Sequence, residues 1–161
     1  MTVIAFTILG EPASKANSRE IGTRRYRDDD GRVKTRPTVR KSDKALRFER
    51  YALRQIPANC RAQLTGPVRV TLRIFYASER PDLDESVVLD VLQSHYATVK
   101  VGGVKVRELV QRGVYANDRQ VREKHVYHGI DRTNPRTEII VEPLTAQQDT
   151  LPLEAATTAG R

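Results

Sequence analysis

Apolar and polar residues alternate with two different periods along the chain, and each change of period marks an element. Residues 2–9 (Thr-Val-Ile-Ala-Phe-Thr-Ile-Leu) are β-branched and apolar and predict a buried strand, stopped by Gly10-Glu11-Pro12. Ser42-Asp43 starts a helix, because Ala45, Leu46, Phe48, Tyr51, Ala52 and Ile56 then form an apolar stripe that ends at Pro57. Val68, Val70, Leu72, Ile74 and Tyr76 alternate with Arg69, Thr71, Arg73 and Phe75, a period-two strand with one apolar and one largely basic face. From Leu83 the period lengthens, with Leu83, Val87, Val88, Val91 and Leu92 on one side of a second helix. Residues 98–106 read as a small hairpin around Gly102-Gly103. Residues 120–127 and 136–142 alternate again, joined by the turn Asp131-Arg132-Thr133-Asn134-Pro135, and Ile139 and Val141 share one face of the last strand.

Two segments break this pattern. Residues 15–41 form a basic arm, in which Thr23–Arg27 and Arg32–Arg36 flank Asp28-Asp29-Asp30-Gly31, a hairpin signal with the aspartates as turn residues. Residues 144–161 are Ala, Thr and Gln with little apolar content and read as a disordered tail. The expected fold is α+β, a small mixed β-sheet packed with two main helices, in one domain over residues 1–143.

Composition narrows the function. The 161-residue chain carries 28 Lys and Arg against 20 Asp and Glu, a net charge of +8, which suits a polyanionic partner. Ten of those cations and four acids lie between Lys15 and Lys41, so the surplus is concentrated there. No stretch approaches the ~20 apolar residues of a membrane span, and the first residues lack the features of a secretion signal, so no membrane partner is expected. A single cysteine, Cys60, excludes an intrachain disulfide and fits a cytoplasmic location.

In so basic a chain, Arg80-Pro81-Asp82-Leu83-Asp84-Glu85 and Asn117-Asp118-Arg119-Gln120 stand out. Asp82 and Asp84 are two apart at a strand's end, so both carboxylates can face one point. Two such carboxylates repel, and a hard divalent cation relieves the repulsion. Mg²⁺ there, with Mn²⁺ as substitute, can polarise a phosphodiester and lower the pKa of a water. Asp118 would complete the site. The structural alternative is that Asp82 caps the second helix, that Asp84 and Glu85 favour its N-terminal end, and that Asp118 is a turn residue. His125 and His128 are three apart on a strand and face opposite sides, against a zinc pair.

At these residues the chain resembles the RusA family of Holliday junction resolvases of phages and prophages. The resemblance rests on Arg80-Pro81-Asp82-Leu83-Asp84 at a strand-to-helix junction and on Gly113-Val114-Tyr115-Ala116-Asn117-Asp118-Arg119-Gln120-Val121 leading into a strand. Gly10-Glu11-Pro12 with Ser14-Lys15-Ala16-Asn17, and Pro135–Ile139, match more loosely, and the likeness covers roughly residues 3–142. It implies a homodimer that cuts branched DNA with Mg²⁺ by paired nicks, in DNA recombination and repair within a bacterial host cell. Asp82, Asp84 and Asp118 fall on the family's catalytic, metal-binding aspartates. Glu85 stands where the family usually has Asn, Val88 where it usually has Lys, and the Lys100–Lys105 hairpin lengthens the spacing to Asp118. Lys15 or Lys124 are the cations that could stand in for the missing lysine.

The function expected from the sequence is thus a Mg²⁺-dependent, structure-selective DNA endonuclease, a crossover junction endodeoxyribonuclease. Its DNA contacts are expected at Lys15, Asn17, Arg19, Arg24, Arg25, Arg69, Arg73, Arg80 and Arg119. The alternative is a non-catalytic or weakly active protein that binds branched nucleic acid and keeps the fold.

Overall fold

The computed structural model describes residues 2–145. Strand outweighs helix, 48% against about 20%, so the α+β expectation holds and the sheet is the scaffold. Its centre is β4 (Val68–Tyr76), the strand with the strictest alternation. Every second residue of β4 from Val68 to Tyr76 is fully buried. The apolar residues of α1 (Asp43–Gln55) and α2 (Ser86–Leu92) complete the same core, through Ala45, Phe48 and Ala52 of the first and Val87, Val88, Val91 and Leu92 of the second. Burying one Val, Leu or Ile side chain in such a core contributes about 1.5–3 kcal/mol.

The sheet also contains β1 (Ile4–Leu9), β7 (Val121–Ile130) and β8 (Arg136–Pro143), in the order β1-β8-β4-β7. β8 runs antiparallel to both β1 and β4, while β7 runs parallel to β4, so the sheet is mixed. Parallel neighbours need a crossover. Here it is α2 followed by a second hairpin, β5 (His95–Val101) and β6 (Val104–Gln111). That hairpin is longer than residues 98–106, because Glu108, Leu109 and Val110 continue its second strand. Helix α2 in turn begins at Ser86, later than the pattern suggested, because residues 81–85 form a bound loop.

The basic arm is a two-stranded antiparallel ribbon, β2 (Arg19–Arg27) and β3 (Val33–Lys41), outside the main sheet. Its turn is built as the aspartates suggested. Asp28 accepts from the amides of Asp30 and Arg32 and pairs with Lys34 at 2.6 Å, and Gly31 takes φ +75°. The root of the ribbon is fixed. Ser42 caps α1 by accepting from the Ala45 amide at 3.1 Å, and its own amide donates to the Ser18 carbonyl at 3.0 Å. Lys41 reaches Glu49 of α1 at 2.8 Å and Asp90 of α2 at 2.9 Å. Among the described residues no helix is long and apolar enough to cross a membrane. The tail expected from residue 144 lies, from residue 146 onward, outside the described residues.

Candidate active site and nucleic-acid interface

Strand β4 delivers its last residue, Tyr76, into the core, and Tyr76 holds the acidic loop. Its hydroxyl donates to the Asp82 carbonyl and accepts from the Asp84 amide, both at 3.2 Å. Asp84 is 9% exposed, while Asp82 is exposed. One oxygen of Asp84, Oδ1, accepts from the Ser86 amide at 2.9 Å and the Ser86 hydroxyl at 2.7 Å. These bonds orient the carboxylate and leave Oδ2 without a hydrogen bond among the described residues. Burial raises the Tyr76 phenol above its ordinary value, with the charges of Asp84, Glu11 and Glu85 adding to the rise. Tyr76 therefore stays protonated and able to donate.

Asp84 opens into a cleft of about 480 Å³. Glu85 and Ser86 share its acidic wall, and Lys15, Ser18 and Arg19 face them from the root of the ribbon. Glu85 is already neutralised: Lys124 of β7 reaches it at 2.5 Å and holds its carboxyl below the usual range. Val88 is fully buried, so that position of α2 points into the core and has no room for a cation. The positive charge in the cleft comes from Lys15 and Arg19 instead. A carboxylate held beside two cations is an arrangement that can take a phosphate.

The structure does not bring Asp118 to this loop. β7 runs parallel to β4, with Val121 beside Val68 and Ile130 beside Tyr76. The residues before Val121 therefore sit at the end of β4 away from Tyr76. Asp118 opens a short 3-10 turn (Asp118–Gln120) capped by Asn117, and its amide donates to the Gln93 side chain just past the end of α2. The phenol it influences is Tyr115, raised by burial and then by the charges of Asp118 and Asp90. Helix α2 is seven residues, about 10 Å, long. Oxygens sharing one Mg²⁺ lie about 2.0–2.1 Å from it, so they must approach one another within a few ångströms. Among the described residues, no three His, Cys, Asp or Glu side chains gather into a metal-holding group. The described contacts of Asp118 are with its own capped turn and with Gln93. Helix α2 lies between the two acidic spots, with the acidic loop at its start and Gln93 just past its end.

The expected DNA contacts divide. Lys15 and Arg19 line the cleft, and Arg24 and Arg25 stand exposed on the ribbon. Arg80 is exposed on the acidic loop, and Arg119 lines a second cleft with Gln120 and Arg122. Asn17 is structural as well as exposed, since its amide group donates to the Ser14 hydroxyl at 3.2 Å and its carbonyl accepts from Ser42. Arg69 is tied to Glu123 at 2.8 Å and to Glu142 at 3.7 Å within the sheet. Arg73 lies over the Tyr127 ring at 5.9 Å, on a face that also carries Glu138. That face is mixed in charge, not basic. His125 pairs with Glu123 on it, while His128 stacks on Tyr76 across the sheet, which keeps the two histidines apart.

Sequence reasoning missed Glu11, Tyr76 and Ser86 as parts of the site. Glu11 accepts from the Ala77 amide at 3.1 Å and so joins the acidic surroundings of Tyr76. The signal available for Tyr76 was a hydroxyl at the last apolar position of a buried strand, which requires a partner. Compared with models of known families the chain matches none, and it has no significant match among curated proteins.

Proposed function

We propose that the chain is a Mg²⁺-dependent endonuclease acting on branched DNA, of the kind its RusA-like motifs suggest, and that it works as a homodimer. The observation that carries this reading is the cleft in which Asp84, oriented by Ser86 and the Tyr76 hydroxyl, faces Lys15 and Arg19 at the root of a basic ribbon. Mg²⁺ is commonly held by one or two carboxylates together with substrate phosphates and waters. The open oxygen of Asp84 in the cleft fits that pattern, with Asp82 exposed on the same loop. A divalent ion held there would withdraw charge from the scissile phosphodiester. The chain's own part is to orient the carboxylates through Tyr76 and Ser86 and to grip the phosphates with Lys15 and Arg19. A two-fold branched substrate suits two identical sites.

A second reading is a non-catalytic protein that binds branched nucleic acid. It is favoured by the absorption of Glu85 into an ion pair with Lys124. The test is a synthetic four-way junction incubated with Mg²⁺. The nuclease reading expects paired nicks, lost in Asp84→Asn and strongly reduced in Asp82→Asn while binding persists. Tight, salt-sensitive binding with no nick from wild type selects the second reading.

A further inference from the structure

The register of the ribbon sorts its side chains, because cross-strand partners share a face and the side-chain period is two. On one face, near the root, Glu20 stands opposite Arg40, followed by Gly22. This face is closed there: Arg40 pairs with Glu20 at 2.5 Å, and its stem lies over Gly22, where an added Cβ would stand 3.0 Å from it. The other face begins with Arg19, the residue that lines the Asp84 cleft. One step outward come Ile21 and Val39, direct cross-strand partners, 81% and 64% exposed. Further out on the same face stands Arg25.

Two large apolar side chains are therefore displayed side by side between two arginines. A complementary partner must be apolar at one point and anionic on both sides of it. Stacked bases between phosphates have that pattern, and apolar wedges of Ile or Leu are inserted between base steps by DNA-bending proteins. The spacing agrees. Ile21 lies two residues, about 7 Å, beyond Arg19, which is about two base rises along a strand whose phosphates advance ~3.4 Å each.

We propose that Ile21 and Val39 form a wedge that enters the base stack beside the phosphate held at the Asp84 cleft. The inference rests on the DNA-binding reading above and adds to it a source of selectivity. Unstacking is least costly where bases are already unpaired. A wedge next to the cleft thus favours a branch point over continuous duplex without reading any base.

The experiment uses the full chain and a four-way junction carrying 2-aminopurine beside the branch point, in buffer with EDTA so that no strand is cut. Wild type is expected to raise the fluorescence about threefold or more as the base unstacks. The double variant Ile21→Ser, Val39→Ser is expected to lose most of that rise while its Kd changes less than about threefold, because the cationic contacts persist. Binding by wild type without a rise, or a full rise from the double variant, overturns the wedge alone. No binding of the junction by wild type overturns the wedge together with the DNA reading. Sedimentation of both proteins supplies the last arm: a wild-type dimer that becomes a monomer in the double variant would place the pair between copies of the chain and overturn the wedge.

Discussion

Replacing Tyr76 by Phe removes one oxygen and nothing else from the core, and the structure gives that oxygen two tasks. Tyr76 is fully buried, so Phe keeps the packing. The Asp84 amide loses its acceptor in a buried setting, and the Asp82 carbonyl loses its donor at a partly buried one. An unsatisfied buried group costs about 1–3 kcal/mol, and the carbonyl, with access to water, adds less. We expect Tyr76→Phe to lose about 1–3 kcal/mol in urea unfolding, which for a chain of this length lowers Tm by roughly 3–10 °C. The same change frees the loop that aims Asp84. Junction cleavage under saturating protein should therefore fall by about tenfold or more, since misplacing a catalytic group by an ångström can cost still more, while DNA affinity stays near wild type. A variant with stability within a few tenths of a kcal/mol of wild type and a full cleavage rate would refute the idea that this hydroxyl holds the site.

Four further outcomes follow from other parts of the molecule. Arg25→Ala should reduce the slope of log K against log salt by about 0.9, as expected for one lost phosphate contact, whereas Arg69→Ala, already paired with Glu123 and Glu142, should leave it unchanged; filter binding across a salt series separates the two. Gly113→Ala should destabilise by about 3 kcal/mol or fail to fold, because its Cβ would stand 2.3 Å from the Gln93 backbone carbon, and expression with thermal melting checks this. Stability should fall as pH rises above about 10: Tyr76, Tyr115 and Lys41 all have folded pKa values above their ordinary ones, so in that range the unfolded chain releases protons that the folded chain keeps, and melts at pH 9 and 11 report it. Acid acts in the opposite sense at Glu85, whose lowered pKa makes the Lys124 pair fully present above the ordinary carboxylate range and lost as pH falls through the folded value; Lys124→Met should remove that acid sensitivity at a cost of at most about 1 kcal/mol at pH 7.

Much of the fold was legible because its periods are clean. Residues 68–76 alternate without a break, and 45–56 keep one apolar stripe, so β4 and α1 stand where the pattern put them. The Asp-Gly and Gly-Gly turns located both hairpins, although not the full length of β5 and β6, whose exposed valines resemble loop as much as strand at the sequence level. Asp82 and Asp84 share one loop because neighbours in sequence stay neighbours in space, although only Asp84 of the two lines the cleft. The position of Asp118 was not legible in the same way, because its contact with Gln93 joins residues 25 apart and no local pattern encodes it. The partners of Arg69 were hidden for a related reason: Glu123 and Glu142 come from two different strands that meet only in the assembled sheet. The cleft itself joins residues 15–19 to 84–86, and the ribbon root that joins them is fixed by Ser18, Ser42 and Lys41, of which the sequence marks only Ser42, as a helix start, and not its bond to Ser18.

The proposed nuclease requires a divalent cation at the Asp82–Asp84 loop, beside Lys15 and Arg19. Iron(II) substituted for Mg²⁺, with ascorbate and peroxide, cuts a polypeptide only near the bound ion, and mass spectrometry locates the cuts. A cation bound there gives cleavage within residues 82–86 and in the facing segment 15–19, suppressed by excess Mg²⁺ and absent in Asp84→Asn. Cuts confined to residues 117–120, or scattered cuts that Mg²⁺ does not suppress, would contradict it.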